Sequence, residues 1–106
     1  MASWAYEFVC DMTLDELRVR LNSSGGCEWA EGDSAWYGDY LGCELFEGVR
    51  LRIHDFAVRA EGGREFNADV RLDARCRVTK AEIDAAFREM LARIPARGVR
   101  EIEPYD

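Results

Sequence analysis

A chain of 106 residues, 48% hydrophobic and with only two prolines, has the length of one domain and the apolar content to bury one core, which excludes a disordered polypeptide. No run is long and apolar enough to span a membrane, and the N-terminal MASWAYEF lacks the basic and apolar regions of a signal peptide, so a cytoplasmic location is expected. The net charge of -7 is uneven: residues 1 to 48 hold ten acids and two bases, whereas residues 49 to 106 hold eleven acids and twelve bases, which disfavours nucleic acid as a partner and favours a basic protein.

Ser3 to Asp11 alternates, with Trp4, Tyr6, Phe8 and Cys10 on one face, and predicts a first strand with an aromatic inner side. Thr13-Leu14-Asp15-Glu16 is a capping box, with Met12 and Leu17 placed as a hydrophobic staple. It predicts a helix over Thr13 to Ser24 whose apolar face is Leu14, Leu17 and Leu21, stopped by Gly25 and Gly26. Cys27 to Glu31 predicts a short second strand, and Ala35 to Leu45 a third. In the third, Leu41, Cys43 and Leu45 alternate cleanly while Trp36 and Tyr40 fall on the opposite parity, so a bulge or partial cover of both faces is expected.

Val49 to Arg59 and Arg64 to Arg77 predict a long hairpin closed by Ala60-Glu61-Gly62-Gly63, with a bulge near His54-Asp55. Its second arm alternates cleanly between an apolar face from Phe66 to Cys76 and a wet face. Thr79 to Glu82 repeats the capping box, with Val78 and Ile83 as staple. It predicts a second helix to Ile94, with the apolar stripe Ile83, Phe87, Met90, Leu91 and Ile94. Val99 to Glu103 predicts a last short strand before Pro104.

This order predicts a single α+β domain over residues 1–106: a two-layer sandwich of a mainly antiparallel sheet with two helices on one face. The arrangement is related to a ferredoxin-like one with an extra hairpin between the helices. The outer sheet face is left carrying Arg50, Arg52, Asn67, Asp69, Arg71 and Asp73.

Chemistry-bearing motifs are few. His54-Asp55 offers an imidazole beside a carboxylate, but neighbours on a strand point to opposite faces, so a structural histidine is expected. No nucleophile motif accompanies it, and no catalytic residue is assigned. The acids at Glu28, Glu31, Asp33, Asp39, Glu44 and Glu47 have neither EF-hand nor glycosidase spacing, and no metal or cofactor is expected. Cys10, Cys27, Cys43 and Cys76 lie far apart with no C-x-x-C pair, so four free thiols are predicted.

The stretch DSAWYGDYLGCELF, from Asp33 to Phe46, sets large aromatics among acids and glycines. Tyr and Trp exposed among carboxylates suit the reception of Arg and Lys, so Asp33, Trp36, Tyr37, Asp39, Tyr40 and Glu44 are the candidate partner-binding residues. With D-S-x-W-Y-G-D-Y on an inner strand and a chain ending E-I-E-P-Y-D, this acidic α+β domain resembles the small bacterial immunity proteins that neutralise polymorphic or contact-delivered toxins. The resemblance is one of size, charge and architecture over the whole chain. It implies a non-enzymatic inhibitor that binds one toxin domain with a basic surface. The alternatives are a small enzyme or ligand-binding domain with a cleft near His54 and Tyr37, and a homodimer formed through an edge strand or the open sheet face.

Overall fold

The computed structural model describes residues 3–24, 27–34, 38–58 and 62–103. Its elements are β1 (Ser3–Cys10), α1 (Leu14–Ser24), β2 (Ala30–Ser34), β3 (Gly38–Phe46), β4 (Val49–Val58), β5 (Arg64–Leu72), α2 (Lys80–Ala92) and β6 (Arg97–Ile102). The six strands form one sheet in the order β2-β3-β4-β5-β1-β6, every described pairing being antiparallel.

That order accounts for the placement of the helices. Antiparallel neighbours make β1 and β2 run the same way, and likewise β5 and β6. The connections through α1 and α2 start from strands of opposite direction and cross the sheet in opposite senses. Two crossovers of the same hand therefore bring both helices to one face. The burial agrees: Leu17 and Leu21 of α1 and Ile83, Phe87, Met90 and Leu91 of α2 share a single core with Tyr6, Phe8, Leu41, Leu51, Ile53, Phe66 and Val70. The predicted two-layer α+β sandwich is the fold observed.

Both capping boxes form. The Thr13 amide donates to Glu16 Oε1 (2.9 Å) and the Glu16 amide to Thr13 Oγ1 (3.2 Å). At α2 the Thr79 amide donates to Glu82 Oε2 (2.8 Å) and the Glu82 amide to Thr79 Oγ1 (3.1 Å). Each box satisfies backbone donors that the first helical turn leaves without an intrahelical acceptor.

A chain of polar contacts fixes α2 to β1. The Trp4 indole N–H donates to the Tyr6 hydroxyl (2.9 Å), which donates to Asp84 Oδ1 (2.7 Å), and Arg88 Nε donates to both Asp84 oxygens (3.0 and 3.1 Å).

Several expected boundaries move, for physical reasons. The second strand starts at Ala30 instead of Cys27. Asn22 in α1 takes both backbone groups of Trp29, its Nδ2 donating to Trp29 O (3.1 Å) and its Oδ1 accepting from Trp29 N (2.7 Å), so ladder pairing to β3 begins one residue later. β5 ends at Leu72 instead of Arg77, because the Asp73 carboxylate accepts from the Arg75 amide (2.8 Å) and closes a turn. The bulge expected near His54-Asp55 is found there, at Phe56 between Asp55 and Ala57. In β3 the register shifts at Leu45, between Glu44 and Phe46.

Candidate functional site

β2 and β3 form the hairpin at one edge of the sheet. Its register pairs Glu31 with Leu41, Gly32 with Tyr40 and Asp33 with Asp39. Side chains alternate along a strand, so the six candidate residues do not share one surface. Asp33 and Asp39 fall on the helix side, in line with Leu41. Tyr40 and Glu44 fall on the outer face. Trp36 and Tyr37 lie outside the described residues.

Asp33 and Asp39 are exposed and directly opposed across the two strands. Like charges so placed destabilise a sheet, by about 0.2–1 kcal/mol. Elsewhere the carboxylates have basic partners: Arg18 pairs with Asp15 and Glu31, Arg64 with Asp55, Arg75 with Glu44 and Asp73, Lys80 with Glu101, and Arg100 with Glu7. Among the described residues, neither Asp33 nor Asp39 has an ion-pair or hydrogen-bond partner. Glu28, exposed just before β2, has none either. The carboxylates of the first half that lack a basic partner among the described residues are thus Asp33 and Asp39 at this hairpin, Glu28 just before it, and Glu16 and Glu47 at other turns.

Glu44 does a different job. One carboxylate oxygen accepts from the Gly48 amide (3.1 Å) and from Arg75 (3.0 Å), which closes the β3–β4 turn against the turn after β5. Its charge is already matched.

On the outer face Tyr40 lies flat over glycine. A Cβ built on Gly32 would stand 2.4 Å from the Tyr40 ring, so only glycine admits the ring there. The Arg52 guanidinium rests over the other part of that aromatic surface, 4.9 Å from the ring centroid, a cation-π contact. Tyr40 also meets His54, its cross-strand partner, at 5.9 Å between centroids.

His54 does not pair with Asp55, as strand alternation predicts. Asp55 turns to the other face and binds Arg64 (2.7 Å). The partner of His54 is Asp69 on β5, with Nε2 3.2 Å from Asp69 Oδ2. The sequence carried a signal for this: in the hairpin register His54 opposes Asn67, which puts Asp69 on the same face one pair away. His54 is 7% exposed and its Nδ1 is shielded from solvent. With Nε2 engaged by a carboxylate and Nδ1 covered, neither nitrogen is presented to a substrate, so the dyad lacks the reach that proton transfer requires. Asn67, expected on an open wet face, is likewise buried at 7% exposure. The middle of the outer face is a closed polar layer.

A shallow recess of about 560 Å³ lies between the start of α2 and β6, lined by Trp4, Lys80, Arg100 and Glu101 among others. Both of its cations are already paired, Lys80 with Glu101 and Arg100 with Glu7. Among the described residues no group of three or more His, Cys, Asp or Glu side chains is placed to hold a metal ion. No helix among them is long and apolar enough to cross a membrane.

In comparison with known proteins, the chain matches no protein-family model and no curated sequence. The molecule is defined by its fold, an antiparallel six-stranded α+β sandwich, and by an acidic hairpin at its edge.

Proposed function

We propose that this protein is a non-enzymatic binding module of the immunity type, which docks a toxin domain through a basic surface and neutralises it. The observation that carries the reading is the Asp33–Asp39 pair: two exposed carboxylates opposed across two strands, with no cation paired to them among the described residues, in a molecule that matches most of its other described acids. Such a pair costs stability in the free protein, and that cost is relieved when an arginine or lysine of a partner enters between the two. Glu28 adds to the same field, which speeds the approach of a basic surface. The burial of His54 supports a binding role over a catalytic one.

The experiment is surface plasmon resonance against toxin domains with a basic surface, at two salt concentrations, with inhibition of the bound toxin's activity measured in parallel. A one-to-one complex is expected, with association slowed by salt and by Asp33→Lys or Asp39→Lys in folded variants. A complex whose association is indifferent to salt and to both substitutions would overturn this placement of the site, and absence of any complex would overturn the partner assignment.

A further inference from the structure

Two of the four cysteines lie against one another. Cys43 is in the middle of β3, on the helix side with Leu41. Cys27 lies in the segment between α1 and β2, and the Asn22 clasp on Trp29 sets its position. It lands beside β3, with Sγ 3.7 Å from the carbonyl oxygen of Glu44, the residue after Cys43. The Cys27 and Cys43 thiols interact side chain to side chain.

Their surroundings differ. Cys27 is half-buried, whereas Cys43 is 8% exposed. Hydrogen bonding with Cys43 holds the Cys27 thiol below its ordinary pKa, against the opposing effect of burial. The same contact, with burial added, pushes Cys43 far up. A half-buried thiol whose pKa is lowered, beside a shielded one whose pKa is raised, is the arrangement that two-step thiol oxidation uses. Cys27 also belongs to no strand. It is therefore held by no ladder hydrogen bond that a move toward Cys43 would break. Cys10 is wholly buried, and Cys76, half-buried like Cys27 and set against the Val78 carbonyl (3.4 Å), has no neighbouring thiol among the described contacts to resolve a sulfenic acid.

We propose that Cys27 and Cys43 are a peroxide-oxidisable dithiol, Cys27 being the attacking thiol and Cys43 the resolving one. The Cys27 thiolate attacks one oxygen of hydrogen peroxide and the O–O bond breaks. Cys27 becomes a sulfenic acid, and the departing hydroxide takes the proton that Cys27 released. The Cys43 sulfur then attacks the Cys27 sulfur: the S–S bond forms, the S–O bond breaks, and the Cys43 proton leaves with the hydroxyl as water. In total two thiols are oxidised to one disulfide and one peroxide is reduced to two waters. A thiol reductant returns the pair to the state seen here.

The test uses the purified full chain treated with hydrogen peroxide in small excess, then alkylated and mapped by mass spectrometry without reductant. No Lys or Arg lies between Arg20 and Arg50, so one tryptic peptide, 21–50, holds both cysteines. The disulfide is read as the loss of two hydrogens from that peptide, and as two fragments that stay joined after further cleavage at the acidic residues between 28 and 39. The thiol titre after denaturation should fall by two from the four present, and dithiothreitol should restore it. In Cys43→Ala the resolving step is removed, so dimedone should trap a sulfenic acid on Cys27. Should that variant fail to fold, the mapping on the unaltered chain decides alone. A disulfide involving Cys10 or Cys76, a dimer linked through Cys27, or sulfinic acid on Cys27 with Cys43 still alkylated would overturn the proposal.

Discussion

Removing one oxygen atom from the α2 clamp, by Tyr6→Phe, should destabilise the protein by about 2–3 kcal/mol. The ring is fully buried and packs on Phe87 (4.9 Å between centroids), so phenylalanine keeps the apolar contacts and the effect isolates the hydroxyl. Two hydrogen bonds are lost. The one to Asp84 (2.7 Å) has a charged acceptor, worth about 1.5–3 kcal/mol in general, but the Asp84 side chain is one-third exposed and water can replace part of it. The one from Trp4 (2.9 Å) leaves an indole N–H inside the protein without an acceptor, at about 1–3 kcal/mol. Urea denaturation followed by far-UV circular dichroism measures the change, with the slope of the transition expected to stay constant. The pH dependence is a second reading of the same contacts. Burial disfavours the Asp84 carboxylate, but hydrogen bonds from Tyr6 and Arg88 outweigh it and hold its pKa below the usual carboxylate value. A depressed folded pKa means stability that is present above the unfolded value of about 3.9 and is lost as pH falls through the folded one. Tyr6→Phe should weaken that acid dependence. A loss under about 0.5 kcal/mol, with unaltered acid sensitivity, would show that the clamp does not hold α2.

Thr79→Ala removes the oxygen that accepts the Glu82 amide, and should cost about 1 kcal/mol in the same assay; no measurable change would mean that the Glu82 side of the box suffices. Gly48→Ala should cost more than about 2 kcal/mol. Its φ of +79° disfavours an L side chain, and a Cβ there would stand 2.4 Å from the Cys76 backbone nitrogen, so turn or neighbour must shift. A smaller loss would show that the turn between β5 and α2 yields easily.

The parts of the fold that were legible in the sequence are those decided by local chemistry. A Thr three residues before a Glu specifies a helix start whatever surrounds it, and both boxes formed as read. Alternation over Phe66 to Leu72 identified a strand with one buried face. What stayed hidden depends on contacts distant in sequence. The alternation that puts Cys27, Trp29 and Glu31 on one face reads as a strand, but Asn22 takes the Trp29 backbone and delays the ladder to Ala30. The wet face of the β4–β5 hairpin reads as open, yet His54 and Asn67 are buried in it. The same alternation divides the candidate site: among its described residues Asp33 and Asp39 fall opposite one another on the helix side, while Tyr40 and Glu44 fall on the outer face.

Asp33 stands on an edge strand, which gives the pair a second explanation. β2 has five residues and no described strand on its outer side, and charges on such an edge discourage strand addition by another copy without any partner being involved. Sign separates the two explanations. Edge protection needs charge of either sign, whereas docking on a basic surface needs negative charge. Asp33→Lys converts the opposed like charges into an opposite pair, so it should leave the chain monomeric by light scattering and raise its stability by about 0.2–1 kcal/mol. The same variant should associate with the basic partner several-fold more slowly and with a weaker dependence on salt. A monomeric, stabilised Asp33→Lys that still binds at the unaltered rate would assign these carboxylates to guarding the edge, and would remove the observation on which the docking site rests.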